Sequence, residues 1–297
     1  ANPAGAIIHM DGLSAAIRTK SPGGLTLDYW TKCVVLRNLC VIGPRNLGDT
    51  DAELSYGFHF RNILYLLCQN LHAEGFGTGF LLVDGAEMVF DGLTMAQNCY
   101  CGLKAMRSAY EQGKARDMVA VFNALYVNNN YVPLIFADPR SVWIKSGEAI
   151  VYGKHDPWSE ENPRTPAPRV VVQGCSTGNT QIHFDSFAFE SDERAYSDGS
   201  TLPAISIDQN GLSTLEINRC NYETLESRLT VACAGFFDNI TIRKTSFGRE
   251  LPVGNPDDQP IVRLNATGTS NSQAMLCKVV LEGNTPSWAD FAVEDNM

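Results

Sequence analysis

Short apolar runs recur along the chain, each closed by a polar or small residue. Cys33-Val34-Val35-Leu36-Arg37-Asn38, Met88-Val89-Phe90-Asp91-Gly92 and Val119-Ala120-Val121-Phe122-Asn123 open the series. Val142-Trp143-Ile144-Lys145, Val170-Val171-Val172-Gln173-Gly174, Leu215-Glu216-Ile217-Asn218 and Ile240-Thr241-Ile242-Arg243 continue it. The runs are short, β-branched or aromatic, and partly alternating, which is the pattern of strands. Helical periodicity is confined to residues 10–18 and 102–117. The second stretch has good helix formers but an imperfect apolar face.

The runs repeat at regular intervals. Aligned on the residue that closes each one, Asn38, Asn70, Gly92, Ala124 and Ser146 fall in one column, with steps of 32, 22, 32 and 22 residues. A turn of 22 residues with ten-residue insertions is the signature of a solenoid. The expected fold is therefore all-β, a right-handed parallel β-helix with loop insertions, three short strands to a coil. One such coil cannot bury its inward side chains alone, so neighbours stack and share a core. Asn at the tight bends tolerates the left-handed backbone region and can stack its amide along the axis. A β-sandwich remains the rival, because Asp11-Gly12, Asp84-Gly85, Asp91-Gly92, Asp198-Gly199 and Asn210-Gly211 are possible hairpin turns. The recurrence favours the solenoid.

Changes in composition organise the chain. Residues 1–24 read as an N-terminal lead-in and cap. Residues 25–245 read as coils, with insertions near 102–117, 154–168 and 189–202. The insertion at 154–168 holds four prolines and has no apolar period. Residues 246–297 read as a C-terminal β region or closing cap, with 288–297 placed to cover the open end of the core.

Composition removes several classes of function. Of 297 residues, 44% are hydrophobic and 19% charged, which excludes wholesale disorder. The longest apolar run, Ile63-Leu64-Tyr65-Leu66-Leu67-Cys68, is too short for a membrane helix, so no membrane insertion is expected. The first ten residues carry no signal-peptide pattern. Net charge is −10 without any Lys/Arg cluster, which argues against nucleic acid as a partner. Nine cysteines, an odd count without a CxxC pair, read as buried free thiols formed in a reducing compartment. The five histidines show no HxH or HExxH spacing, and Gly75-Phe76-Gly77-Thr78-Gly79 is a turn rather than a phosphate loop. No metal and no cofactor are expected.

Acidic and aromatic side chains gather in three places, in groupings that would suit a sugar site. Glycoside hydrolysis uses two carboxyls, one as acid and one as base or nucleophile. The first candidate group is Asp84, Glu87 and Asp91. Asp91 occupies the position equivalent to Arg37, Gln69, Asn123 and Lys145, so these side chains form an outward polar column. The second group is Asp138, Glu148 and Asp156, close to Trp143, Tyr152 and Trp158, whose aromatic faces suit sugar rings. The catalytic candidates are therefore Asp84, Glu87, Asp91, Asp138 and Glu148, and the substrate-binding candidates Arg37, Lys145, Trp143, Tyr152 and Trp158. A third group, Asp185, Glu190, Asp192 and Glu193, adjoins a run whose alternation sets Ile182 and Phe184 opposite His183, Asp185, Phe187 and Phe189. Aromatics on both faces predict a strand buried on both sides, as at a trimer interface. Lyase chemistry has Arg37, His59, Lys145 and Arg140 to draw on, without a diagnostic spacing.

The segments Val-Phe-Asp-Gly-Leu (89–93), Val-Phe-Asn-Ala-Leu (121–125) and Phe-Asp-Asn-Ile-Thr-Ile (237–242) resemble those of bacteriophage tailspikes and the wider pectate-lyase-like β-helix group, over about residues 25–242. The resemblance is architectural and includes no catalytic signature. It implies a homotrimer folded in the host cytoplasm and working outside the cell on a virion tail. It implies recognition or cleavage of a bacterial capsule or lipopolysaccharide glycan; depolymerisation is the expectation, with glycoside hydrolysis favoured over lyase chemistry. It also implies a particle-binding region, which is not evident in this sequence. The alternatives are a non-enzymatic virion fibre or adhesin, and a cellular pectin-type lyase or hydrolase. The scattered, odd cysteines count against the latter.

Overall fold

Three ladders of parallel strands, visited in a fixed order, build the chain. The computed structural model describes residues 6–9, 15–18, 34–44, 55–98, 100–107, 118–151, 168–173, 180–191, 204–207, 212–223, 231–233, 237–247, 262–264, 278–285 and 293–295. Ladder A begins at Ala15–Arg18 and passes through Tyr56–Ile63, residues 78–85, Cys101–Met106, Val132–Ala137, Val170–Gln173, Ile205–Ile207, Val231–Cys233 and Val262–Leu264 to Val293–Asp295. Ladder B stacks residues 34–37, 66–69 and 88–91, then Met118–Phe122, Ser141–Ile144, Thr180–Asp185, Leu212–Asn218, Phe237–Arg243 and Lys278–Glu282. Ladder C stacks Ala6–His9, residues 39–42, 71–74 and 93–96, Leu125–Asn128, Gly147–Val151, Phe187–Ser191, Asn221–Glu223 and Ser246–Phe247, ending on Thr285.

Every described pairing is parallel and joins one coil to the next, the arrangement of a parallel β-solenoid. The antiparallel hairpins that a β-sandwich needs are absent among the described residues. No helix occurs among them either, and both helical expectations meet strands. Ala15–Arg18 pairs with residues 56–59, and Cys101–Met106 lies between two ladder-A rungs. Leu103 and Ala105 are fully buried beside Phe80 and Leu82, so ladder packing overrides the helix propensity of this stretch.

The core lies inside the three ladders and is laid down in columns. Phe58, Phe80, Leu103, Leu134 and Val170 follow one another up ladder A, all fully buried. Phe58 stacks on Phe80 with ring centroids 4.4 Å apart, and Phe90 on Phe122 at 4.7 Å. Such pairs contribute roughly 0.5–1.5 kcal/mol beyond their area. Cys68 and Cys220 are free thiols in this core, and burial pushes both up to about 12.

The bend between ladders B and C holds its length throughout. One residue separates the outward side chain that ends B from the inward side chain that starts C. Asn38, Asn70, Gly92, Ser186, Arg219, Lys244 and Gly283 occupy this position with φ between 50° and 72°. Asn70 Nδ2 donates to Asn38 Oδ1 at 3.1 Å, so the amides stack along the axis as the sequence predicts. Ser146 holds the same place, and the next residue, Gly147, has φ 127°. A Cβ on Gly147 would lie 1.9 Å from the Leu125 carbonyl oxygen, so only glycine fits.

Two successive bends from C to A are closed by buried asparagines. Asn98 Oδ1 accepts from Phe76 N at 3.0 Å, and Asn98 N and Nδ2 donate to Asn130 Oδ1 at 3.0 and 2.9 Å. Asn130 Nδ2 donates to the carbonyls of Met95 and Asn128. Together these side chains satisfy backbone groups that the turn would otherwise bury unpaired.

The insertions predicted at 102–117, 154–168 and 189–202 fall at bends bordering ladder A. Strands continue through residue 106 and residue 191, and 108–117, 152–167 and 192–200 lie outside the described residues. Beyond residue 246 the described strands carry on in the same ladders.

Candidate functional site

The outer faces of the ladders differ. On ladder A the outward side chains of Leu81, Val83, Ile135 and Val171 are buried. Ile135 and Val171 belong, with Cys101 and Val132, to a small second core packed by Tyr100 and Tyr131. On ladder B the outward face is open: Val35 is 56% exposed and Trp143 41%. Ladder C is open too, with Tyr126 41% exposed, and ladder B is the open face that carries an indole.

Strand alternation sorts that face into columns. One column carries Val35, Leu67, Val89, Val121 and Trp143, then His183, Glu216, Thr241 and Val280. The lower half is an apolar stripe that ends in the indole. Two residues further along each strand runs a second column: Arg37, Gln69 and Asp91, then Asn123 and Lys145 one position beyond the paired residues, then Asp185, Asn218, Arg243 and Glu282. This is the polar column the sequence predicts, and it continues past Lys145.

The densest arrangement lies where the columns cross the middle rungs. The Trp143 indole stacks on the His183 imidazole, with centroids 3.7 Å apart and planes 8° from parallel. Trp143 Nε1 donates to Ser141 Oγ at 3.0 Å. His183 Nδ1 lies 3.0 Å from Glu216 Oε2 on the next rung, while its Nε2 is buried with no hydrogen-bond partner among the described residues. Beside them, Arg219 Nε donates to Asp185 Oδ1 at 2.9 Å and its Nη2 to Oδ2, a two-point clamp. Lys145 and Arg37 are exposed and make no ion pair among the described residues.

The expected acidic groups are spread out rather than convergent. Asp84 is buried in the bend from A to B, with φ 51°, and Glu87 is exposed in the same bend, with φ 53°. Asp91 stands four residues beyond Glu87, about 13 Å away at a rise of ~3.3 Å per residue. Asp138, with φ 53°, pairs with Arg107 at 2.7 Å. Glu148 sits round the next bend on ladder C, between Tyr126 and Ala188. Trp143, Lys145, Arg37 and Asp91 do share one face. Tyr152, Trp158 and Asp156 lie outside the described residues, as do Asp192 and Glu193.

The expectation of a strand buried on both sides around 182–190 is corrected. Ser186 bends the chain with φ 55°, which resets the alternation. Phe184, Phe187 and Phe189 consequently all point into the core and pack on one another. The outer face there carries His183 and Asp185. Sequence reading alone misses His183 and Glu216 as neighbours of Trp143. Their coils are lengthened by unequal insertions, so no fixed period aligns them. No family model, curated protein or solved structure matches this chain.

Proposed function

We propose that the chain forms a right-handed parallel β-helix that recognises a bacterial surface polysaccharide along the outer face of ladder B, as part of a trimeric host-recognition spike on a virion tail. Right-handedness follows from the near-universal hand of parallel crossovers. The observation that carries the reading is the exposed Trp143, set at the head of an apolar stripe and beside a continuous column of hydrogen-bonding side chains. An aromatic face takes the apolar face of a sugar ring, and the polar column takes its hydroxyls. An extended polymer suits a flat, rung-repeated surface better than a small molecule does.

Depolymerisation is the second reading. Asp185 and Glu216 lie one rung and two residues apart, about 8 Å between Cα atoms by strand geometry, which sets two carboxyls on one face, as glycoside hydrolysis needs. Both carboxylates already hold partners, Arg219 and His183, which they would release to reach a glycosidic oxygen. Recognition is therefore the primary reading.

The test is to incubate the protein with surface polysaccharides from a panel of bacteria, following binding and polymer length together. Binding without shortening is the expected result, and a ladder of repeat-unit fragments would promote the second reading. Absence of binding across the panel would sink the proposal. Light scattering checks the trimer.

A further inference from the structure

The polar column on ladder B carries two cations that have no counter-ion among the described residues, Arg37 and Lys145. Four rung-to-rung steps separate them, through Gln69, Asp91 and Asn123, a span of about 19 Å at ~4.8 Å per step. Other basic side chains near the site are committed. Arg219 clamps Asp185, and Arg243 Nε lies 3.0 Å from Glu282 Oε2. Lys145 has neutral Asn123 below it and the clamped Asp185 above it. Asp91 stands midway between these two cations, itself without an ion pair among the described residues.

We propose, building on the glycan reading above, that this face selects a sparsely anionic polysaccharide, with acidic groups meeting Lys145 and Arg37 and an intervening stretch of neutral sugars. Trp143, two residues from Lys145 on the same strand, supports the ring that carries the first acidic group. Asp91 repels a polymer charged at every sugar, because one of its carboxylates would then lie against that side chain. Two contacts about 19 Å apart reward length, since the second forms at the effective concentration set by the first. Both cations are exposed, so their contribution falls as salt screens it.

The test uses three acidic polymers and the carboxyl-reduced form of each, in which every uronate becomes a neutral sugar. Xanthan and colanic acid carry a glucuronate once per repeat unit, and polygalacturonate carries one on every sugar. The expected result is at least tenfold tighter binding of a sparse acidic polymer than of its reduced form, with polygalacturonate weaker. Lys145→Ala and Arg37→Ala each lower acidic-polymer affinity several-fold and lower affinity for the reduced form by a clearly smaller factor. Asp91→Asn raises affinity for polygalacturonate. Equal binding of acidic and reduced polymers, lost in Trp143→Ala, would overturn the charge selection while leaving glycan recognition in place. If neither form of any polymer binds, glycan recognition falls and this inference with it.

Discussion

Trp143 and His183, on successive coils, meet face to face at 3.7 Å, and Glu216 on the following coil holds the imidazole from its other side at 3.0 Å. The stack is worth roughly 1 kcal/mol, small beside the stability of a solenoid. Trp143→Ala should therefore lower stability by about 1 kcal/mol in urea denaturation, with the secondary structure unchanged by circular dichroism. Its effect on polysaccharide binding should be far larger. Loss of the fold in this variant would mean that the indole is structural.

Gly147 is a position where nothing else fits. Its φ of 127° and the 1.9 Å approach to the Leu125 carbonyl leave no room for a methyl group. Gly147→Ala should destabilise by about 2–4 kcal/mol, combining backbone strain with overpacking. Asn70→Gly, at a bend with φ 51°, should stay within about 1 kcal/mol of the parent. Equal losses in the two variants, measured by denaturant midpoints, would contradict this account of the bends.

Asn130 is buried and serves three partners, accepting from Asn98 and donating to two carbonyls. Asn130→Ala strands buried backbone groups and should cost about 2–4 kcal/mol. Hydrogen exchange should quicken first at Asn98 and Phe76, whose amides depend on the chain of side-chain acceptors. Uniform quickening across the molecule would point to global loosening instead.

His59 gives the fold a pH dependence of known sign. Its imidazole titrates below the ordinary 6.5, first because burial penalises the charged form, then because Arg61 and Arg18 lie close. As pH falls, the unfolded chain takes up this proton before the folded one does. The stability tied to His59 is thus complete above about pH 6.5 and is lost as pH drops below it, levelling once the folded imidazole protonates too. His59→Gln should flatten the decline in urea midpoint between about pH 7.5 and 5. An unchanged slope would remove His59 from the account.

The repeat was legible in the sequence for a specific reason. Asn38, Asn70, Gly92, Ala124 and Ser146 mark the one bend that takes no insertion, so their spacing records coil length directly. The polar column from Arg37 to Lys145 follows from the same alignment. Strand alternation failed where the bend itself intervened, because Ser186 resets parity and moves Phe187 inward. Cys101–Met106 hid behind good helix formers until its ladder partners were in place. The crossing of Trp143, His183 and Glu216 was out of reach, since insertions of unequal length separate them and no local pattern encodes which rung follows which.

The constant bend between B and C divides the molecule into a part that can be rewritten and a part that cannot. Length changes fall at the two edges bordering ladder A. A segment exchanged between Val151 and Pro168 would leave every ladder-B side chain in its present row. One residue added at Asn70 would instead turn the ladder-C side chains of that coil inside out. A lineage of such chains can thus diversify its loops freely while preserving, rung for rung, the wall against which a ligand is read.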